Sequence, residues 1–238
     1  MKHIVCGMGE AGSALANVIR ERGEDVEGCD PQKGIEPASD RYDTLHICFP
    51  WSSSFIGLVK AYQEKYSPTI AIIHSTVPVG TTRKIGGHIA HSPVHGVHPD
   101  LEYGIKTFIK PVGGLCEKST HLAQHVFDTL DILNAKWSSP EATEFSKIMC
   151  TTQYAWNVIL CKEIAAECER LGVPFSEVYS LWNYEYNRGY VELDKPEVCR
   201  PNLTPMPGPI GGHCLIPNAK LYDCWLTETI LKRNEDYK

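Results

Sequence analysis

The opening residues, MKHIVCGMGEAGSALANVIRERGEDVEGCD, constrain the fold more than any other stretch of the chain. A short apolar run from His3 to Cys6 leads into Gly7, Gly9 and Gly12. An amphipathic segment then continues to Gly23, and a second short run closes on Asp30. The order reads as strand, glycine turn, helix, strand. Each glycine answers a separate need: a tight turn at Gly7, room for a pyrophosphate against the backbone at Gly9, and close helix–strand packing at Gly12. The helix start at Glu10 and Ala11 offers unpaired N–H groups and positive partial charge to phosphates. Asp30 lies 18 residues beyond Gly12, where an acid bonds the ribose 2′-hydroxyl of an adenine dinucleotide. A carboxylate there repels a 2′-phosphate, so the cofactor expected is NAD.

The alternation continues. TLHICFP reads as a buried strand, SSFIGLVKAYQEKY as a helix, TIAIIHST as a strand, TTRKIGG as a short helix and HIAHSP as a fifth strand. FIKPVGG, the helix KSTHLAQHVFDTLDIL and a short strand at AKW follow. Alternating strands and helices imply a Rossmann-type, doubly wound parallel sheet with its ligand beyond the carboxyl ends of the strands. Ser75 and Thr76 close the fourth strand where the nicotinamide half should pass. Pro50 and Trp51, after the third, are expected near the adenosine and pyrophosphate.

From Pro140 the texture changes. PEATEFSKIMCTTQYAWNVILCKEIAAECERLG keeps helical apolar spacing without an internal proline and predicts one long helix ending at Gly172. A shorter helix at PFSEVYSLWN, an irregular proline-rich segment and a terminal helix at NAKLYDCWLTETILKR complete the chain. The expected organisation is an α/β domain over residues 1–138 and a smaller all-α domain with a long central helix over 139–238.

Composition excludes several classes. A formal charge of −6 supplies no basic face for nucleic acid, and no stretch approaches 18 consecutive apolar residues, so no membrane partner is expected. Ten cysteines are scattered without a C-x-x-C pair, which fits reduced thiols in the cytoplasm. The run HIAHSPVHGVHPD carries no recognised zinc spacing, and Pro93 breaks the helix that would align His91 with His95. No metal is expected; a loop aiming His95 or His98 at a substrate suits the fold better.

Several segments, taken together, resemble the UDP-glucose/GDP-mannose dehydrogenase family, within the wider 6-phosphogluconate and β-hydroxyacid dehydrogenase group. They run in family order: GMGEAG, HSTVPVGTT, SKIMCTT, KEIAAECERLG and GPIGGHC. The last is close to the G-P-G-x-G-G-x-C around that family's catalytic cysteine. The resemblance covers nearly the whole chain and about the first half to two thirds of a family member, without the C-terminal sugar-nucleotide-binding domain. It implies that Cys214 is the nucleophile, attacking an aldehyde formed by a first hydride transfer, with a thioester hydrolysed after the second. It also implies that Lys147 stabilises an alkoxide or moves a proton, and that the chain forms a homodimer through its long helix.

The departures from the family pattern fall on catalytic helpers. Thr151 stands where the family has asparagine, Asn218 where it has aspartate, and Val94 where it has the glutamate of S-P-E, leaving His91, His95 and His98 as candidate bases. Three readings follow. The first is NAD-dependent oxidation of an alcohol on a sugar nucleotide or a smaller hydroxylated substrate. The second is a two-electron β-hydroxyacid-type reaction resting on Lys147, and the third a non-catalytic NAD-binding module.

Overall fold

A computed structural model describes residues 1–237. Its contacts group the chain into two compact units, Met1–Lys147 and Ile148–Lys238.

The first unit is built on one seven-stranded sheet. Its strands are β1 (Lys2–Cys6), β2 (Asp25–Cys29), β3 (Thr44–Ile47), β4 (Ile70–Ile73), β5 (Ile89–His91), β6 (Lys110–Gly114) and β7 (Asn134–Lys136). They are arranged in the order β2-β1-β3-β4-β5-β6-β7. The central strands are apolar on both faces because helices cover both, as parallel sheets require. Helices α1 (Glu10–Glu21), α4 (Leu101–Thr107) and α5 (Glu117–Thr129) contribute to one core with Val5, Ile72 and Val112. Helices α2 (Phe55–Tyr66) and α3 (Thr81–Ile85) contribute to the other with Ile4, Cys6, Ile47 and Ile73. The strand order reverses between β1 and β3, placing the topological switch point at their carboxyl ends.

Two features depart from the expectation. β6 pairs antiparallel with β5, while the other strand pairs are parallel. The seven-residue α4, absent from the sequence reading, explains the reversal: it packs on α1 instead of carrying the chain to the opposite end of the sheet. The chain therefore re-enters the sheet from the end at which it left.

Helix α6 (Pro140–Leu171) is a single element of 32 residues, as its unbroken apolar spacing predicts. The unit that begins at Ile148 takes in the rest of it. There follow a π-helical segment (Ser176–Leu181), α7 (Trp182–Glu192), a 3-10 turn (Pro196–Val198), α8 (Leu215–Ala219) and α9 (Trp225–Asp236). The expected terminal helix is thus two helices. The break falls before Cys224, whose N–H donates to Thr227 Oγ1 at 3.1 Å, so α9 opens with a cap of its own. The proline-rich segment is strapped back within this unit, by Tyr179 Oη donating to Pro201 O at 3.0 Å and Lys162 Nζ to Gly208 O at 2.7 Å.

Candidate cofactor and catalytic sites

In the first unit the glycine turn has the geometry a dinucleotide needs. Gly7 sits at φ 92°, and a Cβ on it would fall 2.5 Å from Phe49 N; a Cβ on Gly12 would fall 1.9 Å from Gly7 O. Those two glycines close the turn onto β3 and α1. Gly9, the N-cap of α1, is different, because a Cβ there meets nothing within 4 Å. The space beside it lies open in front of the N–H groups of Glu10 and Ala11, as anion binding at a helix start requires.

Asp30 directly follows β2 beside this turn, and its Oδ2 accepts the Met8 N–H at 2.9 Å. Lys33 Nζ donates to Met8 O at 2.6 Å, so both faces of the Met8 peptide are held. Ser75 Oγ donates to Phe49 O at 2.6 Å, joining the carboxyl ends of β3 and β4. Pro50 is exposed at the end of β3, Trp51 is half-buried with its ring 5.4 Å from that of Phe55, and Thr76 is half-buried. Gly7, Gly9, Glu10, Ala11, Gly12, Asp30, Pro50, Ser75 and Thr76 therefore gather at one edge of the sheet, around its switch point.

The histidines after β5 separate in role. His91 is fully buried, and burial lowers its pKa to about 3. Its Nε2 lies 3.1 Å from Ser75 O and so carries the proton, and its Nδ1, 2.8 Å from Thr143 Oγ1, then accepts from that hydroxyl. His91 is thus occupied in fixing the Ser75 carbonyl, which removes it from the candidate bases. His95 is half-buried, 5.8 Å from the Phe108 ring, and burial, together with the charges of Lys147 and Lys110, lowers its pKa to about 4. His98 is exposed, with Nδ1 2.7 Å from Glu10 Oε1, so this loop reaches the start of α1. Lys147 is half-buried within electrostatic range of both His91 and His95. Among the described residues no group of three or more His, Cys, Asp or Glu could hold a metal ion.

Two residues here escaped the sequence reading. Glu144 is fully buried, and its carboxylate accepts Gly80 N at 2.6 Å, Thr82 N at 2.8 Å and Thr82 Oγ1 at 2.6 Å. Burial raises its pKa while these three donors oppose the rise. The contacts latch the turn after Ser75 and Thr76 to α6. A glutamate one turn into a long helix reads as an ordinary solvent-facing acid, so the sequence held no signal for this. Lys110, 3% exposed inside β6, donates to Pro93 O at 3.1 Å, and burial brings its pKa down to about 7. A lysine inside an apolar strand was the available clue.

In the second unit, Gly211, Gly212 and His213 are exposed, and Cys214 is half-buried at the N-cap of α8. The loop is held on both sides. Before it, Lys162 bonds Gly208 O and Ile210 N donates to Asn234 Oδ1 at 2.6 Å; after it, Asn218 Nδ2 donates to Thr151 Oγ1 at 3.4 Å. Thr151 in turn donates to Ile148 O at 2.9 Å. Thr151 and Asn218, two of the three positions that depart from the family pattern, are therefore hydrogen-bonded neighbours, and both are neutral.

No family model matches the chain. The UDP-N-acetyl-D-mannosamine dehydrogenase of Methanocaldococcus jannaschii is 27% identical over 206 residues, which span 76% of this chain and 44% of that protein. The resemblance to nucleotide-sugar dehydrogenases is borne out. This chain thus corresponds to less than half of that nucleotide-sugar dehydrogenase. The structure of UDP-D-ManNAc dehydrogenase from Pyrococcus horikoshii superposes with a TM-score of 0.81 at 20% identity, covering 100% of this chain and 69% of that one. The Mycobacterium tuberculosis 3-hydroxyisobutyrate dehydrogenase gives 0.69 at 16% identity, covering 100% of this chain and 94% of that one. These superpositions show the shared fold: a mostly parallel sheet with helices, followed by a helical region.

Proposed function

We propose that this chain is an NAD-dependent oxidoreductase acting on the alcohol of a sugar nucleotide or a smaller hydroxylated substrate. The observation that carries the reading is the open space at Gly9, bounded by the α1 N-terminus and by Asp30 tied to the same turn. The residues fit NAD: Gly9, Glu10 and Ala11 would hold the pyrophosphate, Asp30 the adenosine ribose, and Ser75 and Thr76 the nicotinamide half. Bound NAD supplies a hydride acceptor. Lys147 is assigned the substrate hydroxyl, where an ammonium stabilises an alkoxide, and His95, which burial keeps neutral at pH 7, is assigned the proton. Cofactor binding is assigned to about residues 1–138 and the catalytic loop to 139–238. The protein is expected to work in the cytoplasm as a homodimer through α6, on which Tyr154 and Leu160 are exposed apolar residues.

The Thr151–Asn218 pair favours a second reading. Hydrolysis of a thioester on Cys214 needs a group that activates water, and a carboxylate at position 218 is replaced by an amide. One hydride transfer, with Cys214 shaping the pocket, requires no such group. Purified protein assayed with NAD, a panel of UDP- and GDP-sugars and small hydroxy acids separates the readings. Two NADH per substrate, lost in Cys214→Ala, supports covalent four-electron oxidation, and one NADH with Cys214→Ala still active supports the two-electron reaction. Absence of NAD binding by calorimetry would sink both.

A further inference from the structure

His3, His46 and His74 lie on β1, on β3 and directly after β4, three adjacent strands, and are 0%, 0% and 3% exposed. His3 Nδ1 is 3.0 Å from His46 Nε2, and His46 Nδ1 is 2.9 Å from His74 Nε2. The register makes this a diagonal file. Val5, two residues after His3, lies opposite His46, and Ile72, two residues before His74, lies opposite it on the other side. The rings therefore climb from the lower edge of the sheet to the edge that carries Ser75 and Thr76, all on the face covered by α1 and α5.

We propose that His3, His46 and His74 form a proton path through the sheet, linking the Ser75 end of β4 to solvent at Glu24. Each contact needs one hydrogen, so neutral rings must share a tautomer, all protonated at Nε2 or all at Nδ1. Only the terminal nitrogens, His3 Nε2 and His74 Nδ1, are then outside the file, and both are buried without a full hydrogen bond. His3 Nε2 lies 4.0 Å from the Glu24 carboxylate, whose side chain is 19% exposed. The His74 ring lies beside the Ser92 backbone, and the Ser92 hydroxyl is likewise buried without a partner.

A proton arriving at His74 Nδ1 displaces the Nε2 proton to His46 Nδ1. His46 passes its own Nε2 proton to His3 Nδ1, and His3 releases one from Nε2 to Glu24. One proton enters, one leaves, no electron moves, and the tautomers invert. A proton travelling the other way resets the file. Burial keeps the rings neutral between passages: His3 falls to about 4, and His46 and His74 stand well below their ordinary value. The charged groups facing the file are the N-terminal amine, Glu24, Asp25 and Asp43 around His3, and Lys110 and the neutral His91 around His46 and His74. Glu24 at one end and the Lys110 ammonium near the other both favour protonation at Nε2. Resting on the proposed dehydrogenation, one passage would carry away the proton released in an oxidation, and a passage in the opposite direction would return one and restore the file before the next.

Nitrogen-15 NMR of the histidine rings tests the path without any catalytic assay. All three rings should carry hydrogen on Nε2, and a mixed set would overturn the proposal. In His3→Leu, solvent exchange of the His46 and His74 ring N–H groups should slow at least about 10-fold, while the backbone amides of Leu45 and Ile72 keep their rates. Glu24→Gln, at the partly exposed end, should give the same direction if His3→Leu folds poorly. Ring exchange unchanged in both variants would refute the connection to Glu24. Lack of NADH production by the wild type would count against the dehydrogenase reading alone, since the exchange result does not depend on it.

Discussion

Acidification should unfold the first unit at a pH where most soluble proteins are near their most stable. His3, His46, His74 and His91 are buried and neutral, with pKa values of about 4 for His3, about 3 for His91 and well below the ordinary value for the other two. A histidine in an unfolded chain titrates near 6.5, so between pH 7 and 5 the unfolded state binds protons that the folded state refuses. Each folded value is depressed, so stability is intact above about 6.5 and is lost as pH falls towards 4. Linkage gives about 2 kcal/mol each for His3 and His91 at pH 5, roughly 4 kcal/mol together, and His46 and His74 add to the loss in the same direction. A domain's whole stability is about 5–15 kcal/mol, so the loss is a large share of it. Urea unfolding followed by far-UV circular dichroism at pH 7, 6 and 5 measures it, as a midpoint falling steeply over this range. A change of less than about 1 kcal/mol between pH 7 and 5 would refute the reasoning, because the rings could not then be both buried and neutral.

Three other outcomes follow from single contacts. Gly9→Val should fold normally, since a Cβ at that site meets nothing, and should lose NAD binding at least about 10-fold by calorimetry. Unaltered affinity would place the pyrophosphate elsewhere. Glu144→Ala leaves Gly80 N, Thr82 N and Thr82 Oγ1 without their acceptor and should cost about 3 kcal/mol or more in chemical denaturation. Asp30→Ala removes the acceptor for Met8 N–H and the repulsion of a 2′-phosphate, so NADP affinity should rise relative to NAD in a competition titration.

Much of the fold was legible because its signals are local. The β1–turn–α1 unit is written in glycines whose spacing has one geometric use, and α6 in 32 residues of helical periodicity without a breaker. Direction in the sheet was not legible: Lys110–Gly114 looks like any other apolar strand, and its reversal depends on where α4 packs. The residues proposed to hold the cofactor gathered at one edge because strand ends carry them there. Glu144, Lys110 and the histidine file stayed hidden for a different reason. Their partners lie 62 residues away for Glu144 and Thr82, 17 for Lys110 and Pro93, and 43 and 28 along the file. One histidine in each of KHIVC, TLHICF and IAIIHST is unremarkable alone, and only register puts the three rings in contact.

A shared tautomer has an electrostatic meaning of its own. Each imidazole carries a dipole from its bare nitrogen to its protonated one, and three rings obliged to agree add their dipoles head to tail across the sheet. With hydrogen on Nε2 the file presents its negative end at His74, next to Ser75. Inverting the file reverses that end to positive without moving a backbone atom. The potential at the upper edge of β4 would then take one of two values, set by a single proton.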